Sequence, residues 1–400
     1  MMINKSWIVS KNIYSLIFLV FIIAAGIFFS LNNDWLNSRL STDIAQAYAL
    51  EDCNNNNINI FQCWEDKLNQ AIKNDLDDAF GIVSYLYNTD SRFSGDCHGY
   101  VHAIGEAAYG LHHLNKNINI SSKTSYCGYG FYHGFMETML YTSGDFQEAR
   151  DFCKYASDKL TGQTTKAYIA CLHGIGHGAV DGGDPRAWGN IEAIISPGIQ
   201  YCEALGETEK EKYLCATGIF NGLAIAFNTN QYGLKTPNPN DPYYVCHSQP
   251  SYHLLEACYE EMNTHAMYLS GNDFSRAVKL TESIENEEMA IIAIKNLSPV
   301  VSIYGTIKDS KKIEICRSLE SLLYLPCIEG LVAGKLEIGR PGIEYLDGLE
   351  FCNNAGINTN EEATCFNTLI GHANILYPKG TVIELCKKID TKYRNNCPKT

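Results

Sequence analysis

Beyond about residue 76 the apolar residues recur every three or four positions with polar residues between them, the spacing of helices that bury one face. Six segments carry this pattern around a cysteine: "ARDFCKYA", "GIQYCEAL", "PYYVCHSQ", "KIEICRSL", "GLEFCNNA" and "VIELCKKI". A seventh, "RAVKLTESIENEEMAIIAI", fits the same template with Leu280 and Ala290 where cysteines would fall. From one segment to the next the step is 44 to 49 residues before Cys246 and 34 to 36 residues after it, the length of a two-helix unit.

Each of the six cysteines has a successor a short way on: Cys153 and Cys171, Cys202 and Cys215, Cys246 and Cys258, Cys316 and Cys327, Cys352 and Cys365, Cys386 and Cys397. The end of one helix and the start of the next lie close in a hairpin, so a disulfide between them predicts helix A, a turn and helix B. The other four cysteines allow three connectivities. The short step from Cys97 to Cys127 predicts that bond, which leaves Cys53 to Cys63. The expected fold is all-α, an array of helical hairpins with a disulfide in each unit, drawn out as a solenoid or curled into a toroid. In period and pattern it resembles the helical-hairpin repeats of the tetratricopeptide and Sel1-like class over most of residues 76 to 400. The W-x-x-L-G-x-x-Y signature is missing, and no functional residue is carried over from that class.

The N-terminus reads differently. Ile13 to Leu31 is an uncharged apolar run preceded by Lys5 and Lys11. At about 1.5 Å per residue it spans roughly 28 Å, the hydrocarbon thickness of a bilayer. The basic flank predicts a cytosolic N-terminus and an extracytoplasmic remainder. The alternative is secretion after cleavage, with "AQAYA" at Ala45 to Ala49 as the cleavage site, although that site lies far from the apolar run. Sixteen cysteines fit either route, since disulfides persist in oxidising compartments. The expected division is 1–31 signal anchor and transmembrane helix, 32–75 extracytoplasmic juxtamembrane segment, 76–227 N-terminal repeats, and 228–400 C-terminal repeats.

Composition narrows the function. With 31 basic against 45 acidic residues and no Lys/Arg cluster, the chain offers nothing to neutralise a row of phosphates, which excludes nucleic acid as partner. No C-x-x-C occurs, which removes thiolate zinc, c-type haem and thioredoxin-like chemistry. A G-x-S-x-G elbow, a P-loop and a dinucleotide fingerprint are also missing.

The candidate chemistry lies where the B helices are set in one frame: "DCHGYVHAIGE" from Asp96, "CGYGFYHGFME" from Cys127, "CLHGIGHGAVD" from Cys171 and "CATGIFNGLAI" from Cys215. Counting the first letter as zero, positions +2, +6 and +10 fall within roughly 80° on a helix and form one stripe. The stripe holds His98, His102 and Glu106 in the first copy, His133 and Glu137 in the second, and His173, His177 and Asp181 in the third. Imidazole and carboxylate four residues apart on one face can present two ligands to a divalent ion. The five histidines are the expected ligands, and Glu106, Glu137 and Asp181 are ligands or general bases. Neutral imidazoles with carboxylates suit zinc, iron or manganese, and an open position would activate water for hydrolysis or bind dioxygen. Glycines at +3 and +7 beside the stripe admit a neighbouring helix closely. Three helices in a flat row at about 8 to 10 Å spacing would hold the outer columns near 20 Å apart. Either the array curls so that the first and third B helices face each other, or two ions sit in a shared groove, or only one pair of columns is used. The competing expectation is a metal-free scaffold, at the cell surface or in a secretory compartment, that captures a protein partner on its concave face and satisfies the histidines by pairing them with carboxylates.

Overall fold

The computed structural model describes Leu50, Cys53 and residues 59–114, 118–164, 166–180, 184–304 and 307–399, without the side chains of 302–304. The expected anchor at 13–31 lies outside the described residues. Among those described, no helix is long and apolar enough to cross a membrane. Chain contacts define two units, 1–67 and 68–400. In the first, Cys53 is bonded to Cys63.

The described residues form eighteen α-helices and no strand. The first group is α1 (Ile60–Ile72), α2 (Leu76–Thr89), α3 (Ser91–Gly95), α4 (Cys97–His113), α5 (Tyr126–Ser143), α6 (Phe146–Lys159) and α7 (Lys166–Gly178). Next come α8 (Ile191–Leu205), α9 (Glu209–Thr229), α10 (Tyr252–Glu261), α11 (Asn263–Leu269), α12 (Phe274–Glu282) and α13 (Glu287–Tyr304). The chain closes with α14 (Asp309–Arg317), α15 (Ser321–Ile338), α16 (Glu344–Asn354), α17 (Thr359–Leu376) and α18 (Lys379–Lys387).

Local chemistry sets the ends of these helices. Asp145 accepts from the N–H groups of Gln147 and Glu148 to start α6, directly after Gly144 has ended α5 in a left-handed conformation. Thr208 with Glu211, and Asn358 with Glu361, form capping boxes that start α9 and α17. The B helices α7, α9, α15 and α17 start earlier than the cysteine frame implies, α9 and α17 at these capping boxes. Cys171, Cys215, Cys327 and Cys365 lie one to two turns inside α7, α9, α15 and α17 rather than at their starts. Cys246 departs from the expected A helix altogether: after "TPNPNDP" the chain makes only a 3-10 turn at Tyr244–Cys246, because closely spaced prolines remove N–H donors. All sixteen cysteines are nonetheless paired as expected, including Cys97 with Cys127. Eight disulfides fit an oxidising, extracytoplasmic environment.

The longer helices pack in order: α4 on α5, α5 on α7, α7 on α9, α9 on α10, α10 on α13, α13 on α15 and α15 on α17. Helix α15 also touches α5, so the contacts close a circuit. Shorter helices α6, α8, α12, α14 and α16 each pack on their successor. Across the closure Lys166 pairs with Glu337, and the Tyr87 hydroxyl donates to the Ile338 carbonyl at 2.6 Å. Phe80, Phe93, Phe131, Phe135, Phe220 and Phe274 are fully buried, each contributing about 1.5 to 3 kcal/mol relative to exposure.

Candidate functional site

Glycine brings the stripe-bearing helices together. A Cβ on Gly134 would lie 2.0 Å from the His102 carbonyl oxygen, and one on Gly174 would lie 2.5 Å from the Tyr132 carbonyl oxygen. Helices α4, α5 and α7 therefore approach more closely than side chains would allow, with α5 in the middle. Their histidines converge as a result. Ring centroids stand 5.1 Å apart for His98 and His133, 4.9 Å for His133 and His173, and 5.1 Å for His133 and His177.

The first turn of α5 has an irregular backbone. Cys127, Gly128 and Tyr129 take φ of 53°, 71° and 64°, a left-handed run that costs roughly 1–2 kcal/mol at each non-glycine residue. This run turns the Cys127 carbonyl toward α4, where it accepts from Nδ1–H of His98 at 2.9 Å. Outliers of this kind concentrate at functional sites. The sequence frame, which made Cys127 the start of a regular helix, contained no signal for it.

Other hydrogen bonds fix the tautomers. The Thr217 hydroxyl donates to the Leu214 carbonyl at 2.7 Å, so Nδ1 of His173, 2.8 Å from that hydroxyl, must be the donor to it. Both His98 and His173 are thus left with a lone pair on Nε2. His177 turns Nδ1 to Oε1 of Glu137, and among the described residues its buried Nε2 has no hydrogen-bond partner. His102 is placed differently: Nδ1 meets Glu106 at 3.0 Å and Nε2 meets the other oxygen of Glu137 at 3.2 Å, so both nitrogens are engaged. Glu137 is the hub that joins α4 to α7. Asp181, three positions beyond the end of α7, lies outside the described residues.

Charge follows from these contacts. Burial pushes His98 down to about 4 and His173 down to about 3, and it holds His133 well below its ordinary value, so all three are neutral at pH 7. For His102 burial acts downward too, but the contacts with Glu106 and Glu137 outweigh it and raise the imidazolium to about 9. Burial acts to raise Glu137; its contacts with His102 and His177 win and hold it far below the carboxylate range.

The histidines open onto a cleft of about 840 Å³. Its floor carries His98, His102, His133, His177 and Glu137, and its walls include Tyr141, Phe146, Tyr201 and Tyr232. His173 faces the other way in part, with Nδ1 3.7 Å from Glu261, whose Oε2 accepts from Asn221 at 2.9 Å. Asn221 occupies the histidine position of the fourth copy and bonds to Glu261 rather than to a histidine. Tyr100, Tyr129 and Tyr132, close in sequence to the stripe, are core residues that do not line the cleft. Tyr141 continues the His133–Glu137 column by one further i+4 step, past the eleven-residue frame, while Phe146 and Tyr201 come from α6 and α8 and Tyr232 from the 3-10 turn Gln231–Gly233, outside the B helices that the repeat pattern singled out.

As the side chains stand, no three His, Cys, Asp or Glu residues among those described are grouped to hold a metal ion. The ring of His133 lies nearly parallel to that of His177, at 14°, and in-plane lone pairs on parallel rings do not meet at one point. Compared with protein family models, with curated proteins and with solved structures, the chain matches none.

Proposed function

We propose that this chain is an extracytoplasmic protein, anchored by its N-terminal apolar run, that holds a divalent transition metal in the histidine cleft and hydrolyses a small-molecule substrate there. The circuit of contacts from α5 round to α15 supports a curled array of two-helix units as its frame. One observation carries the metal reading: Nε2 of His177 is buried and unpartnered, a state that costs roughly 1–3 kcal/mol unless something fills it.

The candidate ligands are His98, His133, His173 and His177; zinc, iron or manganese suits imidazole ligands, and the rings of His133 and His177 would turn out of parallel to face one ion. The partners of the remaining nitrogens support this choice. A metal-binding histidine usually donates its other N–H to a carbonyl, hydroxyl or carboxylate, and Cys127, Thr217 and Glu137 are acceptors of those three kinds. A bound divalent ion would bring the pKa of a coordinated water toward neutrality and so supply a nucleophile. His102, protonated between Glu106 and Glu137, would place a positive charge beside a departing oxygen.

A metal-free scaffold is the second reading, supported by the complete pairing of His102 and the parallel rings of His133 and His177. Elemental analysis separates the two. The full chain, produced in an oxidising compartment with a tag lacking histidine, is expected to carry about one ion per chain and to lose it in His177→Ala. No ion in folded, disulfide-complete protein after incubation with zinc, iron and manganese would leave the scaffold reading.

A further inference from the structure

The wall of the cleft carries information about its ligand. Tyr141 is 89% exposed and Tyr201 47% exposed, although both are large aromatic side chains at the edge of a well-packed body. The ring of Tyr201 stacks on Phe146 at 3.8 Å and 10°, so its face is held rigid. Flat faces kept in water beside a polar floor suit a ligand that is apolar on one side and hydrogen-bonding at its edges.

Charge and backbone then limit the class. Among the described residues no lysine or arginine lines the cleft, and the His102 imidazolium is already paired with Glu106 and Glu137, so, the proposed ion apart, no side chain there is spare to anchor a phosphate, sulfate or carboxylate. The floor carboxylate, Glu137, is already engaged by His102 and His177 and is not spare to pair with an organic cation on the ligand. The histidines and Glu137 sit within α4, α5 and α7, whose main-chain groups are committed to the helices, so an extended peptide finds no strand edge to pair with. A volume of about 840 Å³ is at the upper end for small-molecule sites and takes more than one ring.

We propose that the cleft binds a neutral saccharide chain whose rings stack on Tyr141 and Tyr201 and whose hydroxyls reach the imidazole floor. The inference rests on the reading of this cleft as the functional site and adds its substrate class.

The test titrates short neutral oligosaccharides of glucose, mannose, galactose and N-acetylglucosamine into the full chain, kept in a detergent without a sugar headgroup, by calorimetry. Metal content is measured on the same samples. One of these sugars should bind with Kd below about 1 mM, and Tyr201→Ala and Tyr141→Ala should each weaken it about tenfold while metal content stays unchanged. Tyr155→Ala, which alters a tyrosine 46% exposed but outside the cleft, should leave binding as it was. Saccharide binding in protein without metal would uphold this inference while the metal reading fails. Metal-bearing, folded protein that binds none of the sugars, or binds one with Tyr201→Ala unaffected, would overturn it and leave the metal reading standing.

Discussion

His98 donates to the carbonyl oxygen of Cys127 at 2.9 Å, and Cys127 is bonded to Cys97, the residue directly before His98. One covalent link thus ties both sides of the hydrogen bond and holds the left-handed turn that aims the carbonyl. Removal of the bond in Cys97→Ala/Cys127→Ala should lower stability by about 2–5 kcal/mol and weaken metal binding by about 10- to 100-fold. Cys352→Ala/Cys365→Ala, far from the cleft in sequence, should lower stability alone. Urea unfolding and competition with a chromophoric chelator read the two effects separately.

Glu137 holds the proton on His102 and the orientation of His177 at once. In Glu137→Gln the amide cannot accept from both imidazoles as a carboxylate does, so the His102 pKa should fall from about 9 toward its ordinary value of 6.5. Histidine-selective NMR titration of the variant measures this, and an unchanged His102 would show that Glu106 alone sustains the shift.

Close approach at Gly134 is a firm requirement. Gly134→Ala would drive a methyl group against the His102 carbonyl and should destabilise the protein by at least about 2 kcal/mol. Gly110 in α4 meets nothing within 4 Å, and Gly110→Ala should stabilise by up to about 1 kcal/mol through helix propensity alone. Equal effects from the two substitutions would remove glycine packing from the account.

Stability should also depend on pH through Glu344, which is 5% exposed and accepts from Tyr377 and Gly342. Burial raises it to about 7, above the ordinary 4.5, so its contribution is complete below pH 4.5 and is lost as pH rises through 7. Between pH 5 and pH 8 the parent should lose about 3 kcal/mol that Glu344→Gln retains. Unfolding midpoints of both proteins at the two pH values check the difference.

Much of this organisation was legible in the sequence, for physical reasons that differ by feature. The cysteine couples were readable because a disulfide demands proximity, and successive helices in a hairpin supply it. The stripe that holds His98, His133, His173 and His177 followed from helical period and from glycines at fixed positions beside it, whereas the meeting of its columns did not, because a flat row of helices would have kept the outer ones apart. Hidden from the sequence were the contacts made by the backbone: the left-handed turn at Cys127 and its bond to His98 depend on tertiary packing, not on a turn signature. Pairing of histidine with carboxylate was the competing expectation, and which histidine would take two carboxylates, His102, was not readable because the stripe gave all five the same standing. The aromatic wall was missed because Tyr141 lies one i+4 step past the eleven-residue frame and because Phe146 and Tyr201 belong to α6 and α8, outside the B helices that carry the stripe.

X-ray absorption at the edge of the bound metal tests the central claim most directly. The account predicts a shell of imidazole nitrogens at about 2.0–2.1 Å with no sulfur at about 2.3 Å, and loss of the edge signal in His177→Ala. A sulfur shell, a shell of oxygen alone, or a spectrum unchanged by His177→Ala would contradict it.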